Sequence, residues 1–361
     1  MPPQISGEQR LRRYRASSFP PPPYGQGLIM PNILRVQWVN MSSVQAAGYG
    51  QVGRNMEWAL QENGVETIDH REFGWDFRIF PTNPHAWLVP QDGSIADDLI
   101  ILTTFDGDLL PDNWVRILNR AGAIWVPSKW SKEVFRYSGV VRPIMVAGYG
   151  VMPDVFNWVD RDYNESPFTF LAWGGRAFDR KNAMTTIKVF GKLNLPDCRL
   201  VVKLSTGRIK EITSDRDIKV YNQELADWEL AMFLYPVNCL IYPSSAEGFG
   251  LMPLEAMATG LPVILTDYSG MQDYMTPETC IPLRVKEIAD AKLTNMMFGS
   301  EARWAMPDED DLADKMLWAY YNREELKEIG RKASEYVLSN WTWLDAGARA
   351  KVELLKLRDR L

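Results

Sequence analysis

Two kinds of apolar pattern alternate along this chain: short β-branched runs, and longer stretches whose apolar positions recur with the period of a half-buried helix. Runs at residues 33–39, 65–68, 99–103 and 123–126 are separated by helical periodicity at 52–62 and 114–120. A second set has runs at 168–173, 200–204, 219–221, 240–242 and 263–266, with helical periodicity at 184–193, at 225–235 and onward from Pro253. Strand runs that alternate with helices imply parallel sheets. Two such sets in series predict an α/β protein of two Rossmann-like domains with parallel sheets facing a cleft.

Residues 1–32 are rich in Pro, Ser and Arg without periodicity and read as a flexible extension. The segment GYGVMPDVFNWVDRDYNESP, residues 148–167, has the Gly, Pro, Asn and Asp content of an inter-domain connection. The expected division is a first domain over 33–157, a second over 158–340, and a terminal helix in 341–361 that packs back toward the first. Residues 312–361 read as long amphipathic helices, with Trp318, Trp341 and Trp343 as packing anchors. A chain of 361 residues agrees with two domains of ordinary size.

Hydrophobic content of 46 % and charged content of 24 % are those of a globular protein. No apolar run approaches the ~18 residues that would cross a bilayer. The basic cluster Arg10, Arg12, Arg13 and Arg15 precedes prolines 20–23, where a secretory signal needs an apolar stretch, so the expected location is cytoplasmic. Cys198, Cys239 and Cys280 lack the paired spacing of a zinc or redox site and read as core thiols. A net charge of −6 gives no general footprint for nucleic acid, and the basic tail reads as a solvated arm.

The string SSAEGFGLMPLEAMATGLPVILTDYSG, residues 244–270, follows an apolar strand directly. It therefore lies at the carboxyl end of a parallel strand, where open α/β sheets bind ligands. Gly248 and Gly250 allow close backbone approach, and Pro253 suits the first turn of a helix. The unpaired N–H groups and positive end of that helix form a phosphate site without a basic side chain. Glu247 before the helix and Glu255 in its expected first turn can accept bonds from hydroxyl groups on either side. A ribose diol, a diphosphate and a sugar ring fit this layout.

The spacing Glu, seven residues, Glu within EGFGLMPLEAMATGLPVI resembles the signature of glycosyltransferase family 4, the glycosyl transferases group 1, and the likeness extends over most of residues 33–358. It implies the GT-B architecture, with donor held mainly by the second domain and acceptor by the first. It implies that Glu255 binds the donor ribose, that Glu247 contacts the donor sugar, and that backbone at Gly248, Phe249, Gly250 and Leu251 holds sugar hydroxyls and diphosphate. In FLAWGGRAFDRKNAMTTI, residues 170–187, Arg176 and Lys181 stand at the family's spacing and would reach the diphosphate. Departure of a nucleoside diphosphate develops negative charge, which fixed cations can stabilise in place of a metal.

Gly48, Gly50 and Gly53 have the Gly-x-Gly-x-x-Gly spacing of a dinucleotide site, but seven residues separate them from the strand, which such a site does not allow. The resemblance instead implies a glycine-rich loop facing the cleft, with the Gly50 amide near the donor phosphate. Asp106 and Asp108 form an Asp-x-Asp pair that could bind a divalent cation. The same pattern recurs at Asp160, Asp215 and Asp308, so no metal or other cofactor is expected. Asp106 occupies the place of the family's acid or histidine beside the transferred sugar. His70 and His85 are the chain's two histidines; His85 sits among prolines, and both read as structural, His70 being the better base.

The resemblance implies retaining transfer from a nucleotide diphosphate sugar, such as a UDP- or GDP-sugar, to an acceptor hydroxyl. A same-face displacement, in which the leaving phosphate takes the acceptor's proton, would need no strong enzymic base. Glycan, lipid, protein and modified DNA base all stay open as acceptors, DNA being disfavoured by the acidic balance. An epimerase or phosphorylase on the same fold, and a non-catalytic nucleotide-sugar binding protein, are the competing readings.

Overall fold

A computed structural model describes residues 33–39, 48–68, 72–175, 177, 179–205, 216–291 and 301–360. The first set of runs supplies β1 (Arg35–Trp38), α1 (Gly48–Glu62), β2 (Glu66–Ile68), β3 (Phe77–Pro81), β4 (Ala96–Leu102), α2 (Asp112–Leu118), β5 (Ala121–Val126), α3 (Lys129–Tyr137) and β6 (Ile144–Val146). They form a parallel sheet in the order β2-β1-β3-β4-β5-β6. The second set supplies β7 (Phe168–Gly175), α4 (Ala183–Lys192), β8 (Cys198–Leu204), β9 (Asp217–Asn222), α5 (Asp227–Leu234), β10 (Cys239–Tyr242), α6 (Leu251–Ala258), β11 (Val263–Thr266) and β12 (Ile281–Leu283). These strands are parallel in the order β12-β11-β10-β7-β8-β9.

Every residue of β5, β10 and β11 is buried, as a strand covered on both faces requires. In the second sheet β7 leads outward in one direction and β10 in the other, so the strand order reverses between them. At such a switch point the loops leaving two neighbouring strands part and open a crevice. The loop after β7 carries Lys181, and the loop after β10 carries Glu247.

An antiparallel hairpin, β13 (Val285–Asp290) with β14 (Arg303–Pro307), follows the second sheet. The chain ends in α7 (Glu309–Tyr321), α8 (Arg323–Asn340) and α9 (Trp343–Arg358). Thr342 starts α9 with a capping box, accepting from the Asp345 amide while Asp345 accepts from the Thr342 amide. This last helix packs against α1 so closely that a side chain at Gly347 would meet the Ala59 carbonyl at 2.4 Å. Beside it, Val151 and Thr342 form a parallel bridge where the chain passes from one half to the other and back. Among the described residues no helix is long and apolar enough to cross a membrane.

Several elements differ from the sequence expectation. Helix α1 starts at Gly48 instead of residue 52, so Gly48 and Gly50 lie in the helix and not in a loop before it. Strands β3, β6, β12 and the hairpin were not expected. β3 hides behind Arg78, which pairs with Asp98 at 2.7 Å, and behind the terminal Pro81. β6 and β12 have three residues each, too few to show a period, and β13 is mostly exposed.

Candidate active site

The loop after β10 turns sharply into α6. Gly250 is the residue before the helix and has φ 88°, a left-handed conformation that favours glycine. The helix begins at Leu251, so Glu255 sits in its second turn and not, as the Pro253 signal suggested, in its first. Gly248 packs against the first half so tightly that a Cβ there would lie 1.5 Å from the Thr104 hydroxyl oxygen. From Gly248 to Met252 the turn and the start of α6 line the crevice.

Glu247 is buried, and its Oε1 is the centre of a charged network. It accepts from the Tyr242 hydroxyl at 2.8 Å and the Ser244 hydroxyl at 2.9 Å. It pairs with Arg180 Nη1 at 2.7 Å and Lys181 Nζ at 3.2 Å. Burial pushes the Glu247 carboxyl up, but Arg180 and Lys181 outweigh it and hold the group well below the usual carboxylate range. Lys181 also donates to the Tyr242 hydroxyl and lies over that ring, 4.8 Å from its centre. Burial lowers the Lys181 pKa, with Glu247 acting against the shift.

Arg180 extends the network across the crevice. Its Nη2 stands 3.1 Å from Asp106 Oδ2, and Asp106 Oδ1 accepts from the Gly248 amide at 3.0 Å. Asp106 leaves the end of β4 in the first half, so its two oxygens grip two different parts of the second. Asp108 turns away to Arg303 of β14, at 2.9 Å, and takes the Arg303 amide at 2.6 Å. The two aspartates thus have separate partners, and among the described residues no group of three or more His, Cys, Asp or Glu side chains could hold a metal ion.

Glu255, in the second turn of α6, is buried and accepts from Gln51 Nε2 of α1 at 3.2 Å. The same nitrogen donates to Asp227 at 3.2 Å. Burial, reinforced by the Asp227 charge, pushes the Glu255 carboxyl up to about 8. Glu247, Glu255, Arg180, Lys181, Asp106 and the Gly248–Leu251 backbone all line one cleft of about 470 Å³, within the size range of small-ligand sites.

Residues 164–291 match the family model described as glycosyl transferases group 1. The chain is 26 % identical over 183 residues to the O-antigen chain mannosyltransferase RfbU of Salmonella typhimurium, covering 46 % of this chain and 51 % of that one. It is 44 % identical over 89 residues to the lipopolysaccharide core biosynthesis mannosyltransferase LpsB of Rhizobium meliloti, covering 24 % of each. The matched region thus spans about half the length of the first relative and about a quarter of the second. In fold the chain resembles Anabaena HepE, a structure in complex with UDP and glucose, with a TM-score of 0.61 at 12 % identity over 90 % of this chain and 99 % of that one. The family match covers residues 164–291, which include Glu247 and Glu255. The architecture of the chain is GT-B.

The group 1 segment supplies most of the residues singled out in the sequence. Glu247, Lys181, Glu255, Gly248, Phe249, Gly250 and Leu251 come together at the cleft, joined by Asp106 from the first half. Phe249 also packs on Tyr149 and Tyr274, with ring centres 5.1 and 5.4 Å away. Gly50 is buried in the first turn of α1, and its neighbours Gln51 and Val52 line the cleft. Arg176 and His70 lie outside the described residues. His85 is outside the cleft, stacked on Trp87. Sequence reading missed Arg180, Gln51, Asp227 and Tyr242. Arg180 had a signal, since it adjoins Lys181 on the same loop; the others gain their place only through folding.

Proposed function

We propose that the protein is a retaining glycosyltransferase that moves a sugar from a nucleotide diphosphate sugar to an acceptor hydroxyl without metal. The observation that carries this reading is the buried anion Glu247, held by Arg180 and Lys181, with the start of α6 and a second carboxyl, Glu255, lining the same cleft. The names of RfbU and LpsB, and the UDP and glucose bound to HepE, support it.

In this reading the diphosphate lies against the amides at the start of α6, with Lys181 and Arg176 as its cations. The side-chain contacts of Glu247 described above all use Oε1, and this reading assigns Oε2 to the donor sugar. Glu255 takes the ribose. The bond from the anomeric carbon to the diphosphate breaks as the acceptor oxygen attacks on the same face, and the acceptor's proton passes to the leaving phosphate oxygen. Asp106 serves as a fixed anion holding Arg180 and the Gly248 amide in place, with both oxygens occupied. Charge placed before the reaction then supplies the acceleration.

Incubation with UDP- and GDP-hexoses and chromatography of the products tests the proposal. Slow release of nucleoside diphosphate, unchanged by EDTA and reduced at least about a hundredfold in Glu247→Gln, is the expected result. Binding without turnover would point to a sensor, and an epimerised nucleotide sugar to an epimerase; either would overturn it.

A further inference from the structure

Gln51 reaches from α1 in the first half to two carboxyls of the second, and its single Nε2 donates to both Asp227 Oδ1 and Glu255 Oε1 at 3.2 Å. Those carboxyls come from separate elements, Asp227 from the first residue of α5 and Glu255 from α6. An acid at a helix start usually serves the free amides of its own helix. Here Glu229 makes the end contact, accepting from the Ala226 amide at 2.7 Å, and Asp227 is turned toward the cleft instead. Arg54, one turn on from Gln51, acts on Asp227 through its charge.

A primary amide offers two N–H donors from one point, and a carboxyl oxygen that carries no proton can only accept. The amide of Gln51 therefore presents the pair with the donor set that two adjacent hydroxyl groups would present. We infer that Asp227 and Glu255 together read the two ribose hydroxyls of the donor nucleotide, and that the Gln51 amide fills their place while the cleft is empty. This inference rests on the transferase reading for the presence of a nucleotide, and adds Asp227 as a second ribose ligand and Gln51 as a competitor. Both acids, Gln51 and the start of α6 line the same cleft, so a nucleotide on the helix N-terminus has its ribose within reach of the pair. Donor entry then releases one side-chain link between the two halves and replaces it with the ligand.

Isothermal titration of the full chain with UDP and GDP, and with their 2′-deoxy and 3′-deoxy forms, tests the inference. Asp227→Asn should weaken the better-bound ribonucleotide about tenfold and leave unchanged the affinity for the form lacking the hydroxyl that Asp227 holds. Gln51→Ala, which removes the competing donor from Asp227 and Glu255, should tighten the ribonucleotide severalfold. Equal effects of Asp227→Asn on ribo and both deoxy forms, or none, would overturn the inference while wild-type binding kept the transferase reading intact. Weaker binding in Gln51→Ala would place its amide on the ligand and overturn its role as competitor. A wild type that bound neither UDP nor GDP would overturn both readings together.

Discussion

Glu255 and Glu247 are carboxyls on one loop and helix, yet their surroundings drive them in opposite directions. Glu247 has two cations within ion-pair distance, whereas among the described residues Glu255 has an amide and a neighbouring acid beside it. A carboxyl with a raised pKa in the folded chain binds a proton there that the unfolded chain releases. Its effect on stability is absent below the unfolded value near 4.5 and becomes an increasing loss as pH rises toward about 8. Glu255→Gln should therefore gain melting temperature relative to wild type as pH goes from 5 to 8. A difference that stayed flat across that range in scanning fluorimetry would contradict the buried, uncompensated carboxyl. Arg180→Ala is expected to do the reverse of a surface change, leaving Glu247 and Asp106 without their shared cation and lowering stability by about 3–5 kcal/mol in urea unfolding. The two glutamates were legible because residue type, spacing and the preceding strand all bear on one local turn. Gln51 and Asp227 were not, since their meeting joins positions 176 apart and neither carries a local signal.

At the scale of elements, the strand-to-helix turn after β10 depends on glycines for different reasons. Gly250 needs its positive φ, while Gly248 needs the absence of a Cβ beside Thr104. Gly248→Ala should force the turn away from β4's end and cut turnover at least about a hundredfold, because misplacement of about 1 Å can cost that much. Thr104→Gly in the same chain should restore part of it in the donor-hydrolysis assay, and failure to do so would detach the effect from this contact. A different support lies under the site: buried Arg161 donates to the carbonyls of Leu234, Val237 and Thr259, which close the ends of α5 and α6. Burial lowers its pKa to about 10, and it stays charged at neutral pH. Arg161→Leu should lower the unfolding free energy by about 3 kcal/mol or more by stranding those carbonyls, measurable by chemical denaturation. The long parallel strands could be read from their continuous apolar runs. The hairpin could not, because β13 is mostly exposed and the buried and exposed positions of β14 do not alternate strictly, so neither strand shows a clear period of two.

Across the whole molecule, the halves meet through polar contacts around the cleft and through helices behind it. Gly347→Val should push α9 off α1 and lower the melting temperature by several degrees, as overpacking of about 1–3 kcal/mol does in a chain of this size. An unchanged melting temperature would mean the helices slide apart freely. The serial order of the two sheets was legible from alternating patterns, whereas the contacts between them were not, since Asp106–Arg180 and Asp108–Arg303 pair residues from distant parts of the chain. One feature behind the cleft sets how these contacts part. Val151 donates to the Trp341 carbonyl at 2.9 Å, and Trp343 donates to the Val151 carbonyl at 3.1 Å, so the outgoing and returning chains are stitched side by side. A doubled thread of this kind bends more readily than it stretches. Any flexing about it is expected to displace the lips at Arg180 and Asp106 while the seam itself stays sewn, a swing of one wall and not a separation of the two.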